Sequence, residues 1–244
     1  MGDQRDLDGL TALVTGATSG IGRAAAEELG RRGADVIVHG RDAQHGATVV
    51  DAIGEAGGRG RFVATDIRPP GGAAELAAAA GDVDILVNDA GFAWFGPTED
   101  LDVATYDRLF DINVRAPYFL VAALAPKMAA RGGGTIINVG SMAGQVGMPG
   151  GAAYSATKAA LAAMTRAWAA EYSPAGVRIN TVASGPVYTP IQPAEVTAAV
   201  GDTTILKRAA QPEEIAGLIG FLASPQASYI TGATFAADGG RTAI

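Results

Sequence analysis

Apolar residues occur along this chain in continuous runs more often than in strict alternation. Runs rich in β-branched residues predict strands at Leu10–Thr15, Ala34–His39, Arg61–Thr65, Val83–Asn88, Thr135–Gly140, Val177–Ala183 and Ala233–Ala237. Continuous apolar runs are typical of strands that are covered on both faces, as in parallel sheets. The pattern therefore predicts a buried, parallel sheet of seven strands.

Helical segments alternate with these runs. They are predicted at Gly20–Arg32, Ala43–Ala56, Ala73–Ala80, Val103–Ala130 (as two segments), Ala152–Ser173 and Pro212–Leu222. Alternation of strands and helices predicts a three-layer, doubly wound α/β fold in one domain spanning residues 1–244. The stretch Ser184–Ala210 contains Pro and Gly and is irregular, so we expect a substrate lid over about residues 186–210.

Composition narrows the class of protein. Hydrophobic residues make up 48% of the 244 residues and charged residues 18%, which is enough apolar material for a core. The chain has no Cys, which excludes disulfides and thiolate metal sites, and we expect no metal. A net charge of −7 disfavours nucleic acid as a partner. The apolar stretch Ala116–Pro126 is too short to span a bilayer and Met1–Asp8 is too polar for a signal peptide, so we expect a cytoplasmic protein without a membrane partner.

A glycine-rich turn follows the first predicted strand and opens a helix, which is the context that a dinucleotide-binding motif requires. Gly16 permits the sharp turn, Gly20 lets the backbone approach a pyrophosphate, and Gly22 lets helix and strand pack closely. The helix N-terminus adds free N–H groups and partial positive charge. We therefore predict a phosphate-binding turn formed by Gly16, Thr18, Ser19, Gly20 and Ile21. A glycine-rich turn without a ligand is the alternative.

The end of the second predicted strand bears on which nicotinamide cofactor binds. NAD sites usually carry an acidic residue there for the ribose 2′-hydroxyl, but this chain reads His39-Gly40-Arg41. A guanidinium pairs well with a 2′-phosphate. Arg41 therefore favours NADP(H), with NAD(H) as the alternative if Arg41 is an ordinary surface residue.

A candidate acid/base pair opens the long helix after the fifth strand. Tyr154 and Lys158 are four residues apart and share one helix face. A nearby ammonium favours the ionised phenolate, so this Tyr could protonate an alkoxide or deprotonate an alcohol. The spacing alone also fits an ordinary surface pair.

Two polar residues supply context for this pair. Ser141 follows the fifth strand, where ligands sit in open α/β sheets, and can donate a hydrogen bond to a carbonyl oxygen. Asn113 lies in the preceding helical region and could hold a water that relays protons to Lys158.

Taken in this order and spacing, the motifs are specific. Over essentially all of Leu10–Gly240, the chain resembles the short-chain dehydrogenase/reductase family, and in particular its 3-oxoacyl-[acyl-carrier-protein] reductase-like branch. The resemblance rests on the glycine turn, the segment Asn88-Asp89-Ala90-Gly91, the set Asn113, Ser141, Tyr154 and Lys158, the segment Asn180–Thr189, and the late Gly232 and Asp238-Gly239-Gly240.

The resemblance implies a Rossmann-like fold and a role for each matching position. Tyr154 would be the acid/base, Lys158 would assist it and hold the nicotinamide ribose, Ser141 would orient the carbonyl, and Asn113 would hold the relay water. Cofactor contacts would further come from Asp66 and Ile67 at the adenine, Asn88, Ala90 and Gly91 at the adenosine ribose, and Val187 and Thr189 at the carboxamide. The implied assembly is a homotetramer.

Two positions depart from the family pattern. Asp89 stands where the family usually has Asn, and Ser184-Gly185-Pro186 replaces the usual Pro-Gly, which predicts a more flexible loop. Because all four catalytic positions are intact, we still expect activity.

The resemblance implies a small carbonyl or alcohol as substrate, held by an apolar wall that we predict to include Trp94, Phe95, Met148 and Tyr188. Docking of acyl carrier protein is disfavoured because Glu171–Gly176 lacks a basic residue. The predicted function is an NADP(H)-dependent oxidoreductase that interconverts a ketone or 3-oxoacyl group and a secondary alcohol. An NAD(H)-dependent alcohol or polyol dehydrogenase, a non-catalytic dinucleotide-binding sensor, and an epimerase or dehydratase remain alternatives.

Overall fold

A computed structural model of the protein describes residues 5–244, so Met1–Gln4 of the polar segment Met1–Asp8 lie outside the described residues. Seven strands form one parallel sheet in the order β3-β2-β1-β4-β5-β6-β7. The strands are β1 Thr11–Val14, β2 Asp35–Gly40, β3 Arg59–Ala64, β4 Ile85–Asn88, β5 Gly134–Ser141, β6 Val177–Ser184 and β7 Thr234–Ala237. The predicted seven-stranded, doubly wound fold is confirmed.

Helices cover both faces of this sheet. They are α1 Gly20–Arg31, α2 Ala43–Glu55, α3 Gly72–Ala80, α4 Val103–Phe110, α5 Ala116–Ala130, α6 Ala152–Tyr172, α7 Ala194–Gly201 and α8 Pro212–Ala223. Asp42 caps α2 by accepting hydrogen bonds from the N–H groups of Gln44 and His45. None of the helices in residues 5–244 is long and apolar enough to cross a membrane.

The core explains why the strands read as continuous apolar runs. Neighbouring residues of one strand point to opposite faces, so Val14 packs with α1 and α8 while Leu13 packs with α3 and α5. Both residues are completely buried. Both faces of the sheet therefore need apolar side chains, and the period-two alternation of a half-exposed strand is absent.

Element boundaries differ from the sequence predictions in two regions. The predicted irregular stretch Ser184–Ala210 contains the helix α7, which Pro193 precedes. The helical region Val103–Ala130 forms two helices, as predicted, but the π-helical turn at Asp111–Arg115 that joins them was not predicted. In such a turn the hydrogen bonds span five residues instead of four, which widens the helix locally and is common at functional sites.

The strand order reverses direction at β1, because the chain first builds outward to β3 and then crosses to β4 on the other side. Ligands in open α/β sheets bind outside the carboxyl ends of the strands at such a switch point. The carboxyl ends of β1, β4 and β5 therefore define where the site is expected.

Candidate active site

The phosphate-binding turn lies at the carboxyl end of β1 and lines a large cavity. Gly16 and Gly20 both have positive φ values, +69° and +56°, which side chains rarely adopt. A Cβ on Gly16 would lie 2.9 Å from the Cα of Ala90, and one on Gly20 would lie 3.1 Å from Cγ2 of Thr189. The turn therefore brings the backbone against the loops that follow β4 and β6.

His39 supports this turn from the neighbouring strand, a role that the sequence analysis missed. Its Nδ1 accepts a hydrogen bond from the backbone N–H of Gly16 at 3.4 Å, and its Nε2 donates to the carbonyl of Thr65 at 3.0 Å. Burial lowers the pKa of His39 and so favours this neutral form. His39 also lines the cavity, together with Arg41.

Charged residues gather at the carboxyl ends of β2 and β3. Arg68 forms an ion pair with Asp66, with hydrogen bonds from its Nε at 2.9 and 3.0 Å, and all of Arg41, Asp66, Ile67 and Arg68 line the cavity. The hydrogen bonds from Arg68 hold the pKa of Asp66 at about 2, so this carboxyl is ionised at neutral pH. Arg68 was not predicted as a site residue; its spacing from Asp66 was the available signal.

Tyr154 and Lys158 lie in the first turns of α6 and both line the same cavity. The ammonium of Lys158 lies 5.7 Å from the centre of the Tyr154 ring and donates a hydrogen bond to the carbonyl of Val139 at 2.9 Å. Lys158 is buried, whereas Tyr154 is only partly buried. The phenol thus faces the cavity with a cation fixed beside it.

Ser141 is the last residue of β5, beside this pair in the cavity wall. Its Oγ accepts a hydrogen bond from the backbone N–H of Ala143 at 3.1 Å. The hydroxyl proton is not used in that bond, so it is available for an oxygen atom in the cavity.

Asn113 sits in the π-helical turn and does not line the cavity directly. Its amide donates to the carbonyl of Phe92 at 2.8 Å and to Oγ1 of Thr157 at 3.1 Å, and its oxygen accepts from the N–H of Phe92 at 2.9 Å. Both N–H groups of the Asn113 amide are used, so Asn113 could bind a water only as an acceptor. The water would then donate a hydrogen bond to a carbonyl oxygen of Asn113.

Asn88 is buried at the end of β4 and does not line the cavity, unlike the predicted ribose contacts Ala90 and Gly91. Its amide donates to Oδ1 of Asn138 at 2.9 Å, which ties β4 to β5. Asp89, the next residue, does line the cavity and its carboxyl lies against Gly22. Burial raises the pKa of Asp89 to about 7, although Lys158 and the N–H of Gly22 act in the opposite direction.

The loop after β6 closes the site on the side of Thr189. Val187 and Thr189 line the cavity, and a bridge between Val187 and Ala210 anchors the loop. The N–H of Ala210 donates to the carbonyl of Pro186 at 2.9 Å and the N–H of Tyr188 to that of Ala210 at 3.1 Å. We predicted a more flexible loop because Ser184 stands where the family usually has Pro, but these hydrogen bonds restrain the loop.

The far wall of the cavity is apolar. Phe95 packs its ring edge against the ring of Tyr154 with centres 5.3 Å apart, and Met148 lines the cavity as predicted. Trp94 and Tyr188 do not line it, so their assignment to this wall was wrong. The ring of Trp94 covers Gly96 instead, where an added Cβ would lie 2.8 Å from Cζ2.

These residues fit a nicotinamide dinucleotide. The cradle has no room for a Cβ at Gly16 and only tight contact for one at Gly20. The first turn of α1 supplies unpaired N–H groups, and Arg41 provides a cation at the end of β2. In residues 5–244 we find no group of three acidic or His side chains that could bind a metal ion.

Comparisons with known proteins agree with this reading. The profile of a family described as Enoyl-(Acyl carrier protein) reductase matches residues 16–242. The chain is 41% identical over 241 residues to cis-4-hydroxycyclohexanecarboxylate dehydrogenase of Sinomonas cyclohexanicum, with 96% of each chain covered.

Two solved structures are also similar. A short chain dehydrogenase/reductase family protein is 50% identical with a TM-score of 0.90, covering 98% of this chain and all of that one. The angucycline C-6 ketoreductase LanV with bound NADP is 35% identical with a TM-score of 0.93 and 98% coverage of both chains. The site geometry and these matches together show that the chain belongs to the short-chain dehydrogenase/reductase family of oxidoreductases.

Proposed function

We propose that this protein is an NADP(H)-dependent oxidoreductase that interconverts a ketone or 3-oxoacyl group and a secondary alcohol. The observation that supports it best is that Ser141, Tyr154 and Lys158 line the same cavity as the phosphate-binding turn. A dinucleotide held by that turn and a carbonyl held by Ser141 would therefore share one space.

The dinucleotide, when bound, supplies or accepts the hydride. Its phosphates would lie on Gly16, Thr18, Ser19, Gly20 and Ile21, its adenosine half near Arg41, Asp66, Ile67, Ala90 and Gly91, and its nicotinamide half near Lys158, Val187 and Thr189. Asn88 would support the adenosine side only indirectly, through its bond to Asn138. Asp66 would meet the adenine while already paired with Arg68.

The chain's own residues act on the substrate oxygen. The Ser141 hydroxyl donates a hydrogen bond to that oxygen and so fixes the carbonyl beside Tyr154. Tyr154 gives its phenolic proton to the oxygen as negative charge develops there, and takes it back from an alcohol in the reverse direction. The Lys158 ammonium stabilises the phenolate left behind, and Asn113 holds a water for proton return.

The preference for NADP(H) over NAD(H) rests on Arg41. No carboxylate ends β2, and Arg41 is exposed and lines the cavity, so a 2′-phosphate would meet a cation there. We expect Arg41→Ala to weaken NADPH binding about tenfold or more while changing NADH binding less than twofold. Fluorescence titration measures both, with Arg166→Ala on the exposed face of α6 as a matched control. Unchanged NADPH affinity in Arg41→Ala would show that the assignment is wrong.

Hydride transfer itself is tested with deuterated cofactor. The protein, NADPH with both hydrogens at C4 of the nicotinamide replaced by deuterium, and a panel of ketones are incubated, and the products are analysed by mass spectrometry. The proposal expects deuterium on the carbinol carbon of at least one product. Cofactor binding without deuterium transfer to any ketone would favour a dinucleotide-binding sensor instead.

We also propose that the whole chain acts as one catalytic domain in a cytoplasmic homotetramer, as the family resemblance implies. The exposed aromatic residues Tyr106 on α4 and Tyr118 and Phe119 on α5 support an interface on these helices. Acyl carrier protein stays disfavoured as a partner.

A further inference from the structure

The charges of the cavity wall are unevenly distributed. Arg41, Asp66 and Arg68 follow β2 and β3, which lie on one side of the strand-order switch. Asp89 lies against Gly22 beside the phosphate-binding turn, and Lys158 is buried with its ammonium bonded to Val139. Of the five charged residues that line the cavity in the described part of the chain, four therefore lie on the side that would hold the dinucleotide. The fifth, Lys158, is fixed beside the ring of Tyr154.

The other half of the wall, which we call the substrate wall, comes from the segments that follow β4, β5 and β6. It is formed by Phe95, Met142, Met148, Ile191, Gln192 and Val200. Among the described residues it contains no charged side chain. Thr197 also lines the cavity, but its hydroxyl donates a hydrogen bond to the carbonyl of Pro193 at 3.2 Å. Gln192 is therefore the main polar group with which the substrate wall can bind a ligand.

Two large side chains of the substrate wall keep apolar surface exposed. Phe95 is 38% exposed although its ring packs against Tyr154, and Ile191 on the lid is 63% exposed. The backbone N–H of Gly96 donates to the carbonyl of Gly150 at 3.0 Å, which joins the segment of Phe95 to the segment of Met148. An apolar ligand between Tyr154 and the lid would cover this surface.

Arg108 is a cation close to this region, and it does not line the cavity. Its guanidinium lies over the ring of Phe92 at 3.9 Å, and it is Phe92, not Arg108, that lines the cavity. Arg208 is engaged in an ion pair with Glu214 at a second cavity. A carboxylate against the substrate wall would consequently meet apolar side chains and no cation of that wall, which disfavours its binding.

Building on the proposed function, we infer that the substrate is a neutral, apolar ketone or the corresponding secondary alcohol, and not a carboxylate or a polyol. This separates the chain's substrate from the acid that its 41% identical relative is named for.

A matched substrate pair tests the inference. The NADPH-dependent reduction of 4-oxocyclohexanecarboxylate is compared with that of its methyl ester at pH 7, where the ring and ketone are the same and only the charge differs. We expect kcat/KM for the ester to exceed that for the acid by about one hundredfold, and any ratio above ten supports the inference. A ratio of ten or less, or a higher kcat/KM for D-fructose than for cyclohexanone, would overturn it.

A variant then tests whether the wall sets this choice. Ile191→Arg places a cation on an exposed lid position of the substrate wall, and Ile205→Arg places one on an exposed lid position outside that cavity. We expect Ile191→Arg to lower the ester-to-acid ratio at least tenfold and Ile205→Arg to leave it within twofold. An unchanged ratio in Ile191→Arg would contradict the inference.

The outcomes also separate this inference from the proposed function. If the wild type reduces no ketone in the series, the proposed function fails, and the inference fails with it. If the wild type reduces ketones but prefers the acid or the sugar, the oxidoreductase proposal stands and only the inference about the substrate is wrong.

Discussion

Asp89 offers a quantitative test of the structural account, because it puts a carboxyl group where the family pattern has an amide. The carboxyl lies so close to Gly22 that a Cβ on this glycine would be 2.5 Å from Oδ2. Burial raises its pKa from 3.8 to about 7, so the folded protein holds this proton more tightly than the unfolded chain does. The contribution to stability is therefore most favourable below pH 3.8 and is lost as the pH rises through about 7.

The size of the effect follows from the shift. Each pKa unit corresponds to about 1.4 kcal/mol, so a shift of about three units gives an upper limit of about 4 kcal/mol once the group is fully ionised. Part of this loss has occurred by pH 5, and Asp89 keeps intermediate exposure to the cavity, which reduces the penalty. We therefore expect the free energy of unfolding to fall by about 2 kcal/mol between pH 5 and pH 8 through Asp89 alone.

Urea unfolding of the cofactor-free protein at pH 5 and pH 8 measures this quantity. Asp89→Asn keeps the shape of the side chain and removes the titration, so the wild type should lose about 2 kcal/mol relative to the variant over this range. Asp51→Asn, at an exposed position on α2, is the matched control and should change the pH dependence by less than about 0.5 kcal/mol. If Asp89→Asn behaves like this control, the reasoning about the buried carboxyl is refuted.

Two further predictions concern the support of the phosphate-binding turn. Gly16→Ala should weaken NADPH binding at least about tenfold, because the new Cβ would lie 2.9 Å from the Cα of Ala90. Gly57→Ala is the control for backbone strain, because Gly57 has a similar φ of +80° and nothing within 4 Å of an added Cβ. Equal NADPH affinity in the two variants would contradict the argument that the backbone at Gly16 approaches Ala90 closely. Burial lowers the pKa of His39, so this residue should destabilise the fold as the pH falls below 6.5, the usual pKa of a histidine. The gain in the free energy of unfolding that His39 contributes between pH 5 and pH 8 should therefore be lost in His39→Asn. Urea unfolding at the two pH values checks this, and an identical pH dependence in both proteins would count against it.

The sequence predicted the sheet well because burial on both faces leaves a simple signal. Strands such as Thr135–Gly140 carry mostly apolar runs without period-two alternation, and β5 differs from that prediction by one residue at each end. The glycine turn was equally legible, since Gly16 and Gly20 are required by backbone conformations that other residues rarely adopt.

Features that depend on tertiary contacts could not be predicted from the sequence in the same way. The π-helical turn at Asp111–Arg115 coincides with the bonds of Asn113 to Phe92 and Thr157, whose positions depend on the folded α6 and the loop after β4. The helix α7 has only eight residues, too few for a clear period, and follows a segment that contains Pro186, Pro190 and Pro193.

Side-chain direction was the other weak point. Asn88 was predicted from the family resemblance to contact the ribose, yet its amide is buried against Asn138. Trp94 was predicted on the substrate wall but lies over Gly96, whereas Phe95 beside it faces Tyr154. A one-residue difference in direction decides which aromatic ring meets the ligand, and neither composition nor spacing contains that information.

The central claim is that Tyr154 transfers the proton during reduction of a carbonyl. Tyr154→Phe keeps the ring that packs against Phe95 and removes only the hydroxyl, so steady-state NADPH oxidation with a reducible ketone isolates the proton transfer. The account predicts that kcat/KM falls at least about one hundredfold while NADPH affinity stays within twofold. A Tyr154→Phe variant that binds NADPH normally and keeps kcat/KM within tenfold of the wild type would contradict it.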